Sequence, residues 1–376
     1  MSFRPFAMER WQSTWENRVR FNLSESGVHP LTATELLALA GADPAPVLGI
    51  PLGYTQSNGT EPLRQAIAAL YPGASAANIT VTNGSAESNY AICWQLLEPG
   101  DHVALMLPNY MQTWGLAHAF GADVRPFRLH EASGWQPDPD EVDAAIVPGT
   151  KLVVVTNPNN PTGAVLSEAA LRHIAARADA VGAWILSDEV YQGAERQGGP
   201  PTRSFWGLGE RVIVVNGLSK AYGLPGLRLG WNVAPLPLPE LLWSRKDYTT
   251  IGPGAMSDAL ATLALRPEVR ANILERTRGI IRANWQVLAD WYGTMGGEFT
   301  SRAPDAGAIS YARYRTDANS SVFAERLRRD FDVLVVPGDQ FEMDRFIRFG
   351  FGLPRADLEA ALDRVATAFR TTADGR

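Results

Sequence analysis

Residues 152–163 read Leu-Val-Val-Val-Thr-Asn-Pro-Asn-Asn-Pro-Thr-Gly, and this stretch decides the fold class. Its apolar, β-branched beginning is typical of a buried strand, and two prolines fix the turn that follows. The turn presents the side-chain amide of Asn160 at the carboxyl end of the strand. Ligands bind at this edge of an open α/β sheet, so the stretch also predicts where a site lies.

Apolar runs of similar length lie on both sides of this stretch. They cover residues 79–82, 102–107, 124–129, 183–187, 212–216 and 229–234. Between these runs, residues 86–97, 110–120 and 168–181 repeat apolar residues at helical spacing. This alternation predicts an α/β fold in which a large domain holds a mostly parallel, seven-stranded sheet between helices.

The pattern changes after about Pro253. Long helical patterns over 255–265 and 269–291 are followed by short strand-like runs and a last helical pattern. Those runs cover residues 309–314, 333–336 and 346–351, and the last helix covers 355–369. We predict a large domain over 46–253 and a smaller α+β domain over 254–376, which the segment 1–45 joins.

Composition excludes several classes of protein. The 376 residues carry a formal net charge of -6, and Lys and Arg are scattered rather than gathered in a basic stripe, which argues against nucleic-acid binding. The single cysteine, Cys93, excludes a disulfide framework or a cysteine metal cluster and is expected to be a small buried hydrophobe. The first 20 residues lack the apolar stretch of a signal peptide or membrane helix, so we expect a cytoplasmic protein without a membrane partner.

Three further motifs follow the same logic as the first. Ser187-Asp-Glu-Val-Tyr191 and Gly217-Leu-Ser-Lys220 each follow a predicted strand, and Arg345-Phe-Ile-Arg348 lies in the predicted small domain. A lone Ser-Lys pair or Asp-Glu pair is usually a solvated loop feature, but their joint occurrence is far more specific.

The four motifs, in this order and spacing, resemble the class I/II aminotransferases among the fold-type I enzymes that depend on pyridoxal 5′-phosphate (PLP). The resemblance extends from Tyr54 to Arg348. It implies PLP as cofactor, amino acid and 2-oxo acid substrates, and a homodimer with shared active sites.

The resemblance also implies a role for each matching residue. Lys220 matches the lysine that holds PLP as a Schiff base and moves the substrate proton, for which we expect a depressed pKa. Asp188 matches the carboxylate at the ring nitrogen, which keeps the ring an electron sink. Arg348 matches the arginine that binds the substrate carboxylate, with Asn160 beside it. The remaining matches are Asn160 and Tyr191 at the phenolic oxygen, Tyr110 on the ring face, Ser85, Ala86, Glu87, Ser219 and Arg228 at the phosphate, and Tyr54 at the phosphate of the neighbouring subunit.

Two features depart from this family pattern. Gly217 stands where the family commonly has Ser or Thr, so a hydroxyl contact to the phosphate is missing. Residues 22–30 and 218–228 also resemble the capreomycidine synthases, PLP enzymes that eliminate water from a hydroxylated arginine and cyclise the product. Glu25 and His29 lie in the first of these segments. Both could lie close to a polar substrate, but a capping or surface role is the stronger expectation for each.

Three functions remain to be weighed. The leading hypothesis is transfer of an amino group from an α-amino acid to a 2-oxo acid. The alternative keeps the site but ends in β- or γ-elimination, replacement or cyclisation. A cofactor-binding regulator is the third, but too few residues precede the first shared motif for a DNA-binding domain.

Overall fold

A computed structural model describes residues 3–373. The strands within this range are β1 (Phe21–Asn22), β2 (Ile79–Thr82), β3 (His102–Leu107), β4 (Asp123–His130), β5 (Gln136–Pro137), β6 (Thr150–Thr156), β7 (Trp184–Asp188), β8 (Val212–Gly217), β9 (Gly230–Val233), β10 (Phe299–Thr300), β11 (Ile309–Tyr314), β12 (Val333–Leu334), β13 (Val336–Pro337) and β14 (Phe346–Gly350). The helices are α1 (Ala7–Trp15), α2 (Ala33–Leu39), α3 (Pro44–Leu48), α4 (Glu61–Ala68), α5 (Ser85–Leu96), α6 (Gln112–Ala119), α7 (Pro139–Ala145), α8 (Glu168–Val181), α9 (Leu238–Lys246), α10 (Ala255–Ala264), α11 (Pro267–Thr294), α12 (Ser320–Phe331) and α13 (Arg355–Ala373).

The large sheet has the strand order β2-β9-β8-β7-β6-β3-β4-β5. Strands β8, β7, β6, β3 and β4 are parallel, whereas β9 runs antiparallel to both of its neighbours. All seven predicted strands are confirmed, and β5 adds a two-residue edge strand that was not predicted. Every residue of β3 and β8 is buried, as expected for strands covered by helices on both faces.

Local sequence explains where the covering helices begin and end. Ser167 accepts a hydrogen bond from the Ala170 N–H group and so caps the start of α8. Gly182 ends the same helix in the left-handed conformation (φ 68°), which glycine adopts without steric cost. The predicted helix over 168–181 therefore has the observed bounds.

The C-terminal part of the chain builds a second, four-stranded sheet with the order β10-β11-β14-β13, and all of its pairs are antiparallel. The N-terminal segment packs here, because β1 pairs with β12 and the Trp11 indole donates to the Val335 carbonyl at 2.8 Å. The assignment of residues 1–45 to the smaller domain stays a prediction. The division into domains at 45/46 and 253/254 stays a prediction.

No helix within residues 3–373 is both long enough and apolar enough to cross a membrane.

Candidate active site

The carboxyl ends of the central strands and the N-terminal segment enclose one cavity. Ten of the twelve residues predicted for the site line it. These ten are Ser85, Ala86, Tyr110, Asn160, Asp188, Tyr191, Ser219, Lys220, Arg228 and Arg348. The structure therefore brings together residues that are up to 263 positions apart in the sequence, which is the difference between 348 and 85.

Lys220 lies in the turn after β8, and its amine points toward the cavity. The Nζ atom donates to Glu25 Oε1 at 2.7 Å. Burial lowers the pKa of Lys220, but Glu25 and Tyr191 raise it by a larger amount. The pKa of Lys220 therefore lies above its usual value. The expected depressed pKa is therefore wrong for the free amine, because sequence reasoning did not place a carboxylate beside it.

Asp188 ends β7 at the floor of the cavity. Its Oδ2 atom accepts a hydrogen bond from the side-chain amide of Asn89 at 3.3 Å, and its Oδ1 atom accepts one from the Val190 N–H group at 3.3 Å. Burial raises the pKa of Asp188 to about 6, although these donors and Lys220 oppose the rise. A cation placed against this carboxylate would favour its ionised form.

Arg348 is 1% exposed and reaches the cavity from β14. Its Nη1 atom donates to Asn160 Oδ1 at 2.8 Å, its Nη2 atom donates to the Ser24 carbonyl, and its Nε atom is a buried donor without a partner. An unpartnered buried donor is costly unless a ligand completes it. The site therefore offers an incompletely satisfied guanidinium to an anion.

Tyr110 and Tyr191 form two further walls. The Tyr191 hydroxyl donates to Ser26 Oγ at 2.8 Å, and the Tyr110 hydroxyl donates to Glu9 Oε1 at 3.4 Å. The Tyr110 ring also packs edge-to-face on Phe6, with 5.2 Å between ring centroids. Both tyrosines are thus held by residues of the N-terminal segment.

The other end of the cavity is suited to an anion. Helix α5 begins at Ser85, and no side chain caps its N-terminus, where Gly84 adopts a φ of 83°. A Cβ atom on Gly84 would lie 2.4 Å from Arg228 Nη2, so only glycine lets the guanidinium approach the helix end. Uncapped N–H groups, the helix dipole and an arginine together form a phosphate-binding arrangement.

Close packing between β8 and β9 explains why residue 217 is glycine. Gly217 pairs with Gly230 across β8 and β9, and a Cβ atom on it would lie 3.0 Å from the Leu229 carbonyl oxygen. A Cβ atom on Gly230 would in turn lie 2.5 Å from the Ser85 backbone nitrogen. The two glycines let β8, β9 and the start of α5 approach closely at this end of the cavity.

Two predicted residues do not line this cavity. Tyr54 is 94% exposed and borders a separate depression formed with residues 252–257. The Glu87 carboxylate accepts hydrogen bonds from the Asn83 N–H group at 2.6 Å and the Thr250 hydroxyl at 2.7 Å, and also contacts the Thr249 hydroxyl. In the described chain Glu87 thus fixes the turn before α5.

Sequence reasoning missed the contribution of α1 and the contact between Glu25 and Lys220. Glu9, Gln12, Ser13 and Glu16 line the cavity from α1 and the residue after it. The signal was present as polar residues spaced three or four apart, which share one helical face. Burial raises the pKa of Glu16, and the nearby Glu25 and Glu9 carboxylates raise it further.

The two residues for which a capping or surface role was expected differ in outcome. Glu25 Oε1 does accept hydrogen bonds from the Ser26 and Gly27 N–H groups, at 2.8 and 3.0 Å, but it also contacts Lys220. His29 contacts Arg276 at 3.0 Å and does not line the cavity. Cys93 is buried, as expected.

The residues present fit PLP. The uncapped start of α5 with Arg228 suits its phosphate, the buried carboxylate of Asp188 suits a protonated ring nitrogen, and Lys220 supplies the amine that reacts with an aldehyde. Within residues 3–373 no cluster of His, Cys, Asp and Glu is arranged to bind a metal ion.

Comparison with known proteins agrees with this geometry. Residues 51–365 match the family described as aminotransferase class I and II. The chain is 33% identical to capreomycidine synthase from Streptomyces vinaceus, over 98% of this chain and 95% of that protein. It is 31% identical to valine–pyruvate aminotransferase from Mycobacterium tuberculosis, over 84% of this chain and 83% of that protein.

A solved structure gives the same result at the level of the fold. A PLP-dependent aminotransferase from Streptococcus suis 89-1591 superposes with a TM-score of 0.92 and 32% identity, covering 99% of both chains. The predicted fold and cofactor are therefore confirmed. The chain belongs to the class I and II aminotransferase family of PLP-dependent enzymes.

Proposed function

We propose that the chain transfers the amino group of an α-amino acid to a 2-oxo acid. The observation that carries the proposal is that Lys220, Asp188 and Arg348 open into one cavity, from three different parts of the chain. An amine, a buried carboxylate and a buried guanidinium are the groups that a PLP enzyme needs to hold its cofactor and an amino acid together.

PLP, when bound, supplies an electron sink for the bond that breaks at the amino acid Cα atom. Lys220 would hold it, and Asp188 would keep its ring nitrogen protonated. Tyr110 would contact its ring face, and Asn160 and Tyr191 its phenolic oxygen. Ser85, Ala86, Ser219 and Arg228 would hold its phosphate.

Arg348 orients the substrate. Arg348 lines the cavity and its Nη1 atom donates to Asn160, so its planar guanidinium is placed to bind a carboxylate. Fixing the α-carboxylate fixes the direction of the Cα–H bond, which decides whether that bond breaks. Lys220 Nζ is the atom that would receive and return the proton.

We further propose that the substrate side chain carries a positive charge. Lys220 neutralises Glu25, and Arg348 is assigned to the α-carboxylate, which leaves Glu9 and Glu16 facing the cavity. Burial raises the pKa of Glu16, and repulsion from Glu25 and Glu9 adds to the rise. A cation between these carboxylates would relieve that repulsion. An amino acid with a guanidinium or ammonium side chain satisfies this requirement.

The site is proposed to be completed by a second copy of the chain. Tyr54 does not line the cavity of its own subunit, and an exposure of 94% is unusual for a tyrosine in a folded protein. We assign this side chain to the phosphate end of the partner's cavity in a homodimer.

Elimination or cyclisation is the second candidate, and the N-terminal segment favours it. The capreomycidine synthase alignment covers 98% of the chain, whereas the family match begins at residue 51 and so excludes Glu9, Glu16 and Glu25. Expelling a leaving group requires a proton donor beyond those that transamination uses, and Glu16, whose pKa is raised by burial and by the nearby carboxylates, can serve.

One experiment separates the two candidates. The PLP-loaded chain is mixed with a panel of amino acids in the absence of any oxo acid, and the oxo acid, ammonia and cyclic products are measured. Transamination predicts one oxo acid per chain, then a stop that is relieved by adding a 2-oxo acid. Continuous turnover with release of ammonia or a cyclic product selects the second candidate, and no reaction with any amino acid contradicts both.

A further inference from the structure

The Glu25 carboxylate is fixed by its own backbone before it meets Lys220. Its Oε1 atom accepts hydrogen bonds from the Ser26 and Gly27 N–H groups, at 2.8 and 3.0 Å. The same oxygen atom accepts the hydrogen bond from Lys220 Nζ at 2.7 Å. Three donors converge on one oxygen atom, so the carboxylate has a defined position rather than the mobility of a surface side chain.

The segment that contains Glu25, residues 23–29, is held in place by backbone hydrogen bonds to Gly350 and Gly352. The Gly350 N–H group donates to the Leu23 carbonyl at 2.6 Å, and the His29 N–H group donates to the Gly352 carbonyl at 2.7 Å. A Cβ atom on Gly350 would lie 1.8 Å from the Glu25 carbonyl oxygen. Glycine at this position is therefore required for Glu25 to reach the lysine.

On the other side, Gly27 lies against the lysine turn itself. A Cβ atom on Gly27 would lie 3.4 Å from the Ser219 carbonyl oxygen and 3.7 Å from the Lys220 Cα atom. The segment thus sits between the end of β14 and the turn after β8. Glu25 therefore lies on a segment that packs directly against the backbone of Lys220.

We propose that Glu25 is a positioning residue for Lys220, and that its carboxylate holds the free amine in the cavity through a direct hydrogen-bonded ion pair. This inference rests on the proposed function, because it takes Lys220 as the reacting amine. Nothing in the family match covers Glu25, since that match begins at residue 51.

The charged and titratable groups around Lys220 support the assignment to Glu25. The groups that interact electrostatically with the Lys220 amine come from several elements. They are Glu16 after α1, Glu25, Asp188 at the end of β7, Tyr191 and Arg348 on β14. Glu25 is the one that accepts a hydrogen bond from Nζ. Burial alone would raise the pKa of Glu25, but Lys220 and the two N–H groups lower it to about 2, so the carboxylate stays ionised at neutral pH.

The consequence is a stronger base. A proton taken from the substrate Cα atom by the lone pair of Nζ produces an ammonium group, and the Glu25 carboxylate is already in place to stabilise it. The cost is that the neutral amine, which also attacks the cofactor aldehyde, is scarce at neutral pH. The rate at which PLP binds therefore reports on Glu25 without any turnover.

The experiment measures how fast the full chain, freed of cofactor, gains its visible absorbance band after PLP is added, as a function of pH. Glu25→Gln keeps an oxygen atom for the two N–H groups but removes the charge. The pH curve of this variant should move to lower pH, so that its rate at pH 7 is about tenfold above that of the wild type. Glu25→Asp, which keeps the charge, should lie between the two, and Glu210→Gln at an exposed position should leave the curve unchanged.

The outcomes are distinguishable. A merely structural role for Glu25 would lower the rate equally at every pH, and a Glu25→Gln curve with the wild-type midpoint would overturn the inference while the proposed function stands. Failure of the wild type itself to form the band would instead reject the proposed function.

Discussion

Arg348 Nη1 donates to Asn160 Oδ1 at 2.8 Å. This hydrogen bond joins β14 of the four-stranded sheet to the turn that follows β6 of the large sheet. The two residues are 188 positions apart in the sequence. Because the substrate would lie between them and the cofactor, this contact places carboxylate recognition at a fixed position relative to Lys220 and Asp188.

Replacing Arg348 with lysine keeps the charge but removes the planar fork. We expect kcat/KM for the amino acid to fall about 10- to 100-fold, because at least one charge-assisted hydrogen bond to the carboxylate is lost, while PLP still binds. Steady-state kinetics and the visible spectrum test this. Arg345→Lys is the matched control, since Arg345 does not line the cavity and pairs with Asp317. An equal loss in both variants would show that Arg348 does not bind the substrate.

The charge of the substrate side chain can be tested with Glu16→Gln. If Glu16 faces a cation, the preference for arginine over its neutral analogue citrulline should fall about five- to tenfold, which corresponds to roughly 1 kcal/mol. The ratio of kcat/KM for the two amino acids is the measurement, with Glu210→Gln as control. A wild-type enzyme that prefers citrulline or other neutral amino acids would contradict the cationic side chain without affecting the transfer reaction.

The buried carboxyl group of Glu189 should make the free energy of unfolding depend on pH. It is 0% exposed, its Oε1 atom accepts from the Ser187 hydroxyl and the Phe205 N–H group, and burial raises its pKa from 4.5 to about 7. Between these values the folded chain binds more protons at Glu189 than the unfolded chain. The contribution of Glu189 to the free energy of unfolding therefore falls as the pH rises from 4.5 to 7, by roughly 2–3 kcal/mol, and is constant above that.

Glu189→Gln removes this titration. The free energy of unfolding of the variant, relative to that of the wild type, should rise between pH 4.5 and 7, as measured by urea denaturation at several pH values. A difference between the two proteins that is independent of pH would show that folding does not raise the pKa of Glu189.

Gly217→Ser would restore the residue type that the family commonly has, but the structure gives it no room. The added Cβ atom would lie 3.0 Å from the Leu229 carbonyl oxygen and 3.2 Å from the Gly230 Cα atom. We expect a loss of about 1–3 kcal/mol in the free energy of unfolding, with no gain in PLP affinity. Gly279→Ser is the control, because a Cβ atom there meets nothing within 4 Å. Tighter PLP binding by Gly217→Ser would instead indicate that the hydroxyl reaches the phosphate.

The sequence was informative wherever local pattern decides structure. Apolar runs between turn residues predicted the seven main strands, and the motifs around Asn160, Asp188 and Lys220 predicted which turns meet at the cavity. These elements follow from residues close together in the chain, as does the capped helix α8.

Long-range contacts were not accessible in the same way. Glu25 is 195 positions from Lys220, and nothing in its neighbours indicates that Gly350 and Gly352 make room for its segment. The same holds for Gly217. In the sequence it indicates only a missing hydroxyl group, whereas the structure shows that the Leu229 carbonyl leaves little room for a side chain at this position. The edge strand β5 has only two residues, which is too short for an alternating pattern.

Lys220 is proposed as the amine that holds PLP, and the small number of lysines in the chain allows a direct test. It contains three lysines, Lys151, Lys220 and Lys246. The full chain is mixed with PLP, reduced with borohydride, digested and analysed by peptide mass spectrometry, with Lys220→Ala and Lys151→Arg as comparison variants. We expect a PLP-derived mass on Lys220 in the wild type and in Lys151→Arg, and no visible band in Lys220→Ala. Labelling of Lys151 or Lys246 instead, or an unchanged band in Lys220→Ala, would contradict it.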